Sequence, residues 1–289
     1  MRVRNATKSS QGYLVSLLAK CRAKIIATMI SIRISLAAAM LIGAFHFFPK
    51  TAHASSSGLS AEKRLRADRL ISVFENQTLN FQYDYIDNLH DGRGFTAGRA
   101  GFCTACGDLY EVVKSYTASK PRNPLAKYLQ RLKKLADTSD IKTKSLTGFA
   151  SAWKSAARDP QFQAAQDEYV DVHLFRPAVE TALSFGIESD LGIAAVYEAA
   201  VQHDFGDDDD SVVSMLKEAG DTTPHHVDLE KFLQVRKAHL MDPENKETTA
   251  TWRESVGRAD EMIRLYKTGN LQFEGPIEVA PFGRSFVIP

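Results

Sequence analysis

Residues 60–108 read SAEKRLRADRLISVFENQTLNFQYDYIDNLHDGRGFTAGRAGFCTACGD, and the change of periodicity within this stretch decides the fold. Ser60 is a good helix cap, and Ala67, Leu70, Ile71 and Phe74 follow the i, i+3, i+4, i+7 spacing of an amphipathic helix that ends near Phe74 or Glu75. Leu79, Phe81, Tyr83 and Tyr85 then alternate with Asn80, Gln82 and Asp84, the two-residue period of a strand. Asp91-Gly92-Arg93-Gly94 is a turn, because glycines on either side of one residue accept backbone angles that other residues resist. Asp108 opens the next helix, in which Leu109, Val112, Val113 and Tyr116 repeat the helical spacing. Any sheet is thereby confined to about residues 78–105.

Downstream, helical patterns occupy residues 125–135, 149–157, 162–172, 177–185, 191–203, 212–218, 228–240 and 252–266, and an extended tail begins at Gly275. The expected class is α+β and predominantly α-helical. It is a lysozyme-like two-lobed domain, with the small sheet in one lobe and a substrate cleft between the lobes.

The first 54 residues differ in kind. They carry eight Lys and Arg and no Asp or Glu, and an apolar run from Ile34 to Phe48 leads to Ala52-His53-Ala54. A basic segment, an apolar core and a small-x-small site make a secretory signal peptide over 1–54, leaving 55–289 as the expected secreted, extracellular domain. No later apolar stretch is long enough to cross a membrane. The remainder holds 28 Lys and Arg against 35 Asp and Glu, a net −7, which disfavours nucleic acid as a partner and suits a cationic one. Of the three cysteines only Cys103 and Cys106 stay in this part. Their spacing allows a local disulfide in an oxidising compartment, two quiet thiols, redox chemistry or half a zinc site; with no second pair, no metal is expected.

Two carboxylates have the environments that acid–base chemistry needs. Glu75 sits four residues beyond Ile71, at the edge of the apolar stripe, where burial favours the protonated, proton-donating form. Asp91 lies in the glycine-flanked turn beside Arg93, where backbone amides and a guanidinium favour the ionised form. Such a pair supplies the acid and base of a glycosidase, and an inverting mechanism asks for about 6.5 to 9.5 Å between the carboxyl groups. Glu198 lies inside an apolar helical run and needs a partner, for which Arg236 and Arg253 are the candidates.

The segments Phe74-Glu75-Asn76, Tyr83-Asp84-Tyr85-Ile86, Asp91-Gly92-Arg93-Gly94-Phe95-Thr96, Gly101-Phe102-Cys103 and Gly107-Asp108 resemble, in order and spacing, the chitosanases of glycoside hydrolase family 46. Further similar segments are Asn123-Pro124-Leu125, Phe162-Gln163-Ala164-Ala165-Gln166, Arg236-Lys237-Ala238 and Gly269-Asn270-Leu271, so that the likeness spans about 67–271. The resemblance implies endo-hydrolysis of β-1,4 links in chitosan, a cationic polysaccharide, with inversion. By position it implies Glu75 as general acid, Asp91 as the base that activates water, Thr96 as the hydroxyl that holds that water, and Arg93 and Asp108 as cleft contacts. Glu198, Arg236 and Arg253 match an ion network behind the site. Tyr83 and Tyr85 alternate between core and sugar-facing positions, and Tyr85 is taken as the substrate contact. The chain is about two residues shorter than that family between Phe81 and Tyr85.

The remaining features have ordinary readings. Asp207 to Asp210 lacks the glycine and distal glutamate of a calcium loop and reads as a solvated acidic turn, and His225-His226 reads as a surface loop. No cofactor fingerprint occurs, so no cofactor is expected, and the chain is expected to act as a monomer.

Overall fold

The computed structural model describes residues 58–90, 92–206, 208–220 and 226–289. Asp91, Asp207, His225 and the 1–54 segment lie outside the described residues.

The first helix, α1 (Ala61–Asn76), is capped as expected: the Ser60 hydroxyl accepts from the Lys63 amide at 3.3 Å, and Gln77 closes it in the left-handed region at φ 52°. Three short strands follow, β1 (Ile86–Asn88), β2 (Phe95–Ala97) and β3 (Phe102–Cys103), paired antiparallel in the order β1-β2-β3. In this register Thr96 sits opposite Asp87 on one side and Cys103 on the other. The sheet stays within the expected window, but the expected strand over 79–85 is absent. Residues 83 and 84 form a turn in which the Tyr85 amide donates to the Gln82 carbonyl. The alternating aromatics there dock on helices instead of a ladder: the Tyr83 carbonyl accepts from Trp153 Nε1 at 3.0 Å and Gln166 Nε2 at 3.1 Å.

Next come α2 (Asp108–Ser119), a 3₁₀ turn (Ala126–Tyr128), α3 (Leu129–Thr138), α4 (Phe149–Ala156) and α5 (Pro160–Val170). A π-helical turn (Asp171–Phe175) joins α5 to α6 (Arg176–Ser184), so residues 160–184 run on where a break was expected. Pro177 has no N–H to give to the preceding turn, and the widened turn just before it accommodates that loss. Then follow α7 (Asp190–His203), α8 (Val212–Ala219), α9 (Leu229–Met241), α10 (Thr249–Arg253) and α11 (Val256–Lys267). The tail is not merely extended: β4 (Ile277–Val279) and β5 (Phe286–Ile288) form an antiparallel hairpin.

From Leu191 to His203 every residue of α7 is buried, which makes it the central helix. It packs against α1, α6, α8, α9 and α11, while β1 packs on α4 and β3 on α2. One apolar core runs through both groups, from Phe102 and Phe149 to Leu191 and Phe232. The fold is the expected predominantly helical α+β arrangement. No helix among the described residues is long and apolar enough to cross a membrane.

Candidate active site

A pocket opens where the two groups of elements meet. Ile71 and Glu75 of α1, Tyr85, Arg99 of the β2–β3 turn, Leu174 of the π turn and Tyr197 of α7 are among its walls. Glu75, one turn beyond Ile71, is only 6 % exposed. Glu75 shares the pocket wall with the apolar side chains of Ile71, Leu174 and Val201. It also carries a partner that the sequence did not suggest: Arg258 Nη1 lies 2.5 Å from Glu75 Oε1.

Arg258 belongs to a fully buried cluster. Its Nε donates to Glu198 Oε1 at 2.7 Å, and its Nη2 lies 2.5 Å from the same oxygen. Arg236 Nη1 bonds the other Glu198 oxygen, and Arg236 Nη2 donates to Glu198 Oε1 and to Gln202 Oε1, both at 3.1 Å. Burial alone would push the Glu198 carboxyl up, but the guanidiniums of Arg236 and Arg258 outweigh it and hold it below the usual carboxylate range. Removal of one member of such a buried set costs about 3–5 kcal/mol.

Arg253, expected in this network, is not part of it. The helix expected over 252–266 breaks after Arg253, and the exposed Arg253 side chain donates to the Met241 carbonyl at 2.8 Å. The break re-phases α11, whose inward face is Arg258, Ala259, Met262 and Ile263. A cation on an otherwise apolar helical stripe is the signal that would have pointed to Arg258.

In the sheet, β2 and its approach are tightly held. Arg93 is buried, and its Nη2 donates to Thr96 Oγ1 at 3.1 Å. The Arg93 carbonyl accepts from the Ala105 amide and from Thr104 Oγ1. A side chain at Gly94, where φ is 77°, would fall on the Thr104 hydroxyl, so this bend requires glycine. Thr96 is fully buried. Asp108, at the first position of α2, is buried too, and its Oδ1 accepts from the Cys103 and Leu109 amides, both at 2.7 Å. Tyr85 is half-buried in the pocket wall, and its carbonyl accepts from Gly98 at 2.7 Å.

A disulfide joins Cys103 to Cys106. Among the described residues these two and Asp108 form the one group of three potential metal ligands, and the bond consumes both sulfurs. The acidic turn differs from its expected solvated state at Asp210, which is buried. Its Oδ1 meets His239 Nδ1 at 2.8 Å, and its Oδ2 accepts from the Glu244 amide at 2.8 Å. His226 is exposed, as expected of a surface loop.

The sequence pattern of glycosyl hydrolase family 46 matches residues 69–277. The chain belongs to that family. Its likeness to individual members agrees: it is 44% identical over 232 residues to a chitosanase of Bacillus subtilis (strain 168), covering 78% of this chain and 84% of the relative. A chitosanase of a Streptomyces species is 36% identical over 252 residues, covering 82% and 86%. Among solved structures, the native chitosanase of Bacillus subtilis MY002 superposes with a TM-score of 0.71 at 43% identity, covering 80% of this chain and all of that one. A family 46 chitosanase of Gynuella sunshinyii, solved in complex with chitotetraose, gives 0.71 at 40% identity, covering 80% and 99%. Membership in family 46 makes the chain a glycoside hydrolase of the lysozyme-like kind.

Proposed function

We propose that this protein is a secreted, endo-acting chitosanase that hydrolyses β-1,4 bonds between glucosamine units with inversion of configuration. The observation that carries the reading is Glu75, a buried carboxyl at the end of α1, facing a pocket and backed by a guanidinium. Structures of its relatives with six glucosamine units and with chitotetraose support the substrate.

In this mechanism protonated Glu75 gives its proton to the glycosidic oxygen as the C1–O bond breaks, and Arg258 stabilises the carboxylate left behind. Asp91 takes a proton from a water that attacks C1 on the opposite face of the sugar. Thr96 orients that water through its hydroxyl, which Arg93 holds from behind. Asp108 and Tyr85 contact the sugar chain. The water's oxygen ends on C1, the leaving sugar keeps the Glu75 proton and Asp91 holds one from the water, so the acid and base exchange states and must re-equilibrate before the next turnover. A net −7 outside the leader favours a polymer of protonated amines.

The reading is tested by comparing new reducing ends from highly deacetylated chitosan, chitin and bacterial cell walls, with the first anomer followed by proton NMR. Release from chitosan with the α-anomer first is expected. Preference for chitin or cell walls would replace the substrate, first appearance of the β-anomer would remove inversion, and binding without cleavage would make the protein a polysaccharide-binding module.

A further inference from the structure

The pocket that holds Glu75 carries a second ion cluster at its far end, separate from the one behind the acid. Arg99 sits in the β2–β3 turn, a place where a long cation ordinarily reaches solvent, yet its side chain is only 8% exposed. Arg99 Nη2 lies 3.2 Å from Asp68 Oδ1 on α1, and Nη1 bonds Asp167 on α5. The guanidinium carbon stands 4.3 Å from the centre of the Phe81 ring. Both carboxylates have other donors: Tyr197 Oη at 2.7 Å and Arg64 Nε at 3.1 Å on Asp68, and Tyr83 Oη at 2.9 Å on Asp167. The main chain is fixed as well, since the Arg99 amide donates to Gln166 Oε1 at 3.1 Å.

Asp68 and Glu75 are seven residues apart, two turns of one helix, and so share a face of α1; both line the pocket. Arg99 lies three residues beyond Thr96 on the chain that leaves β2. The Asp68–Arg99 pair thus ties the helix bearing Glu75 to the strand bearing Thr96, and Asp167 ties in the third wall. We propose that Arg99 is a positioning residue for hydrolysis: it fixes the span across the pocket between the proton donor and the hydroxyl that holds the attacking water. This rests on the reading of Glu75 and Thr96 given above. A misplacement of about 1 Å costs on the order of a hundredfold in rate, so a bolt between the two walls acts on turnover more than on binding. Only arginine suits the place, because its planar fork serves two carboxylates on different helices at once, whereas lysine offers one compact charge.

The test measures kcat and KM on highly deacetylated chitosan for the parent, Glu75→Gln, Arg99→Met, Arg99→Lys, Asp68→Asn and the Arg99→Met/Asp68→Asn double variant. Rates are normalised to folded protein by circular dichroism. Arg99→Met is expected to lose about tenfold to a hundredfold in kcat with KM within about twofold of the parent, and Arg99→Lys to recover part of the loss. The double variant is expected to be no slower than the worse single one, as for two groups that act as one pair. Unchanged kcat per folded molecule, or a raised KM at unchanged kcat, would overturn the inference. Should Arg99→Met not fold, Asp68→Asn carries the same expectation, since its amide oxygen at the Oδ1 position still accepts from Tyr197 while the charge that pairs with Arg99 is gone. An inactive parent or an active Glu75→Gln overturns the functional reading and this inference with it; an active parent with unaffected Arg99 and Asp68 variants overturns this inference alone.

Discussion

Arg258 and His239 each join two carboxylates, with opposite consequences for pH. The Arg258 guanidinium keeps its charge throughout the working range, so its pairs with Glu75 and Glu198 are permanent as far as the cation is concerned. His239 can lose its charge. Its Nδ1 faces Asp210 at 2.8 Å and its Nε2 faces Glu218 at 2.9 Å, so both ring nitrogens donate when the ring is protonated. The bond to Asp210, partly offset by burial and reinforced by Glu218, pushes the imidazole up to about 9. A folded pKa above the ordinary value of 6.5 means a contribution fully present below 6.5 that fades as pH rises through about 9. Urea unfolding at pH 6 and at pH 9.5 checks this: the stability lost in His239→Gln is expected to be larger at pH 6, and an equal loss at both would contradict it. Nearby His203 behaves differently. Burial drives its pKa well below 6.5, its Nδ1 meets the Asp210 carbonyl at 3.0 Å, and it stays neutral against the Trp252 ring.

At the level of elements, the sequence carried most of the helices because their apolar stripes repeat over three or more turns. It failed where an element is short or where its phase is set by contacts from elsewhere. The alternation of Leu79, Phe81, Tyr83 and Tyr85 mimics a strand, but Tyr83 is fixed by Trp153, Gln166 and Asp167, residues some seventy to eighty-four positions away. The three-residue strands β4 and β5 are too short to show any period. The break between α10 and α11 moved the ion partner from Arg253 to Arg258, and nothing local marks it, since Glu254 and Ser255 are neither proline nor glycine. Just beyond the break, a Cβ on Gly257 would fall on the Pro281 carbonyl oxygen, so α11 and the loop of the C-terminal hairpin touch backbone to backbone there. Gly257→Ala is therefore expected to destabilise by about 1–3 kcal/mol, as overpacking does, read as a lower urea midpoint at unchanged slope. A midpoint equal to the parent's would show that the hairpin loop yields freely. Glu75 could be singled out from a local signal, a helix end at the edge of an apolar stripe, whereas Thr96 was reached only through the resemblance to family 46. Asp68, Arg99 and Tyr197 were not, because their meaning depends on three elements closing on one pocket.

Across the whole molecule the arrangement separates two tasks. The buried set of Glu75, Glu198, Arg236 and Arg258 holds the Glu75 carboxyl from the helical side of the pocket, while Arg93, Thr96 and Asp108 are tied to the sheet and its disulfide. The acidic balance of residues 55–289 suits the cationic polymer proposed as substrate. The central claim is that Glu75 is the proton donor of chitosan hydrolysis. It is tested most directly by reducing-end release from highly deacetylated chitosan by the parent and by Glu75→Gln, with circular dichroism showing both folded. The account predicts release by the parent and a loss of at least about a hundredfold in the variant, the scale of a general acid; a folded Glu75→Gln that cleaves at the parental rate would contradict it.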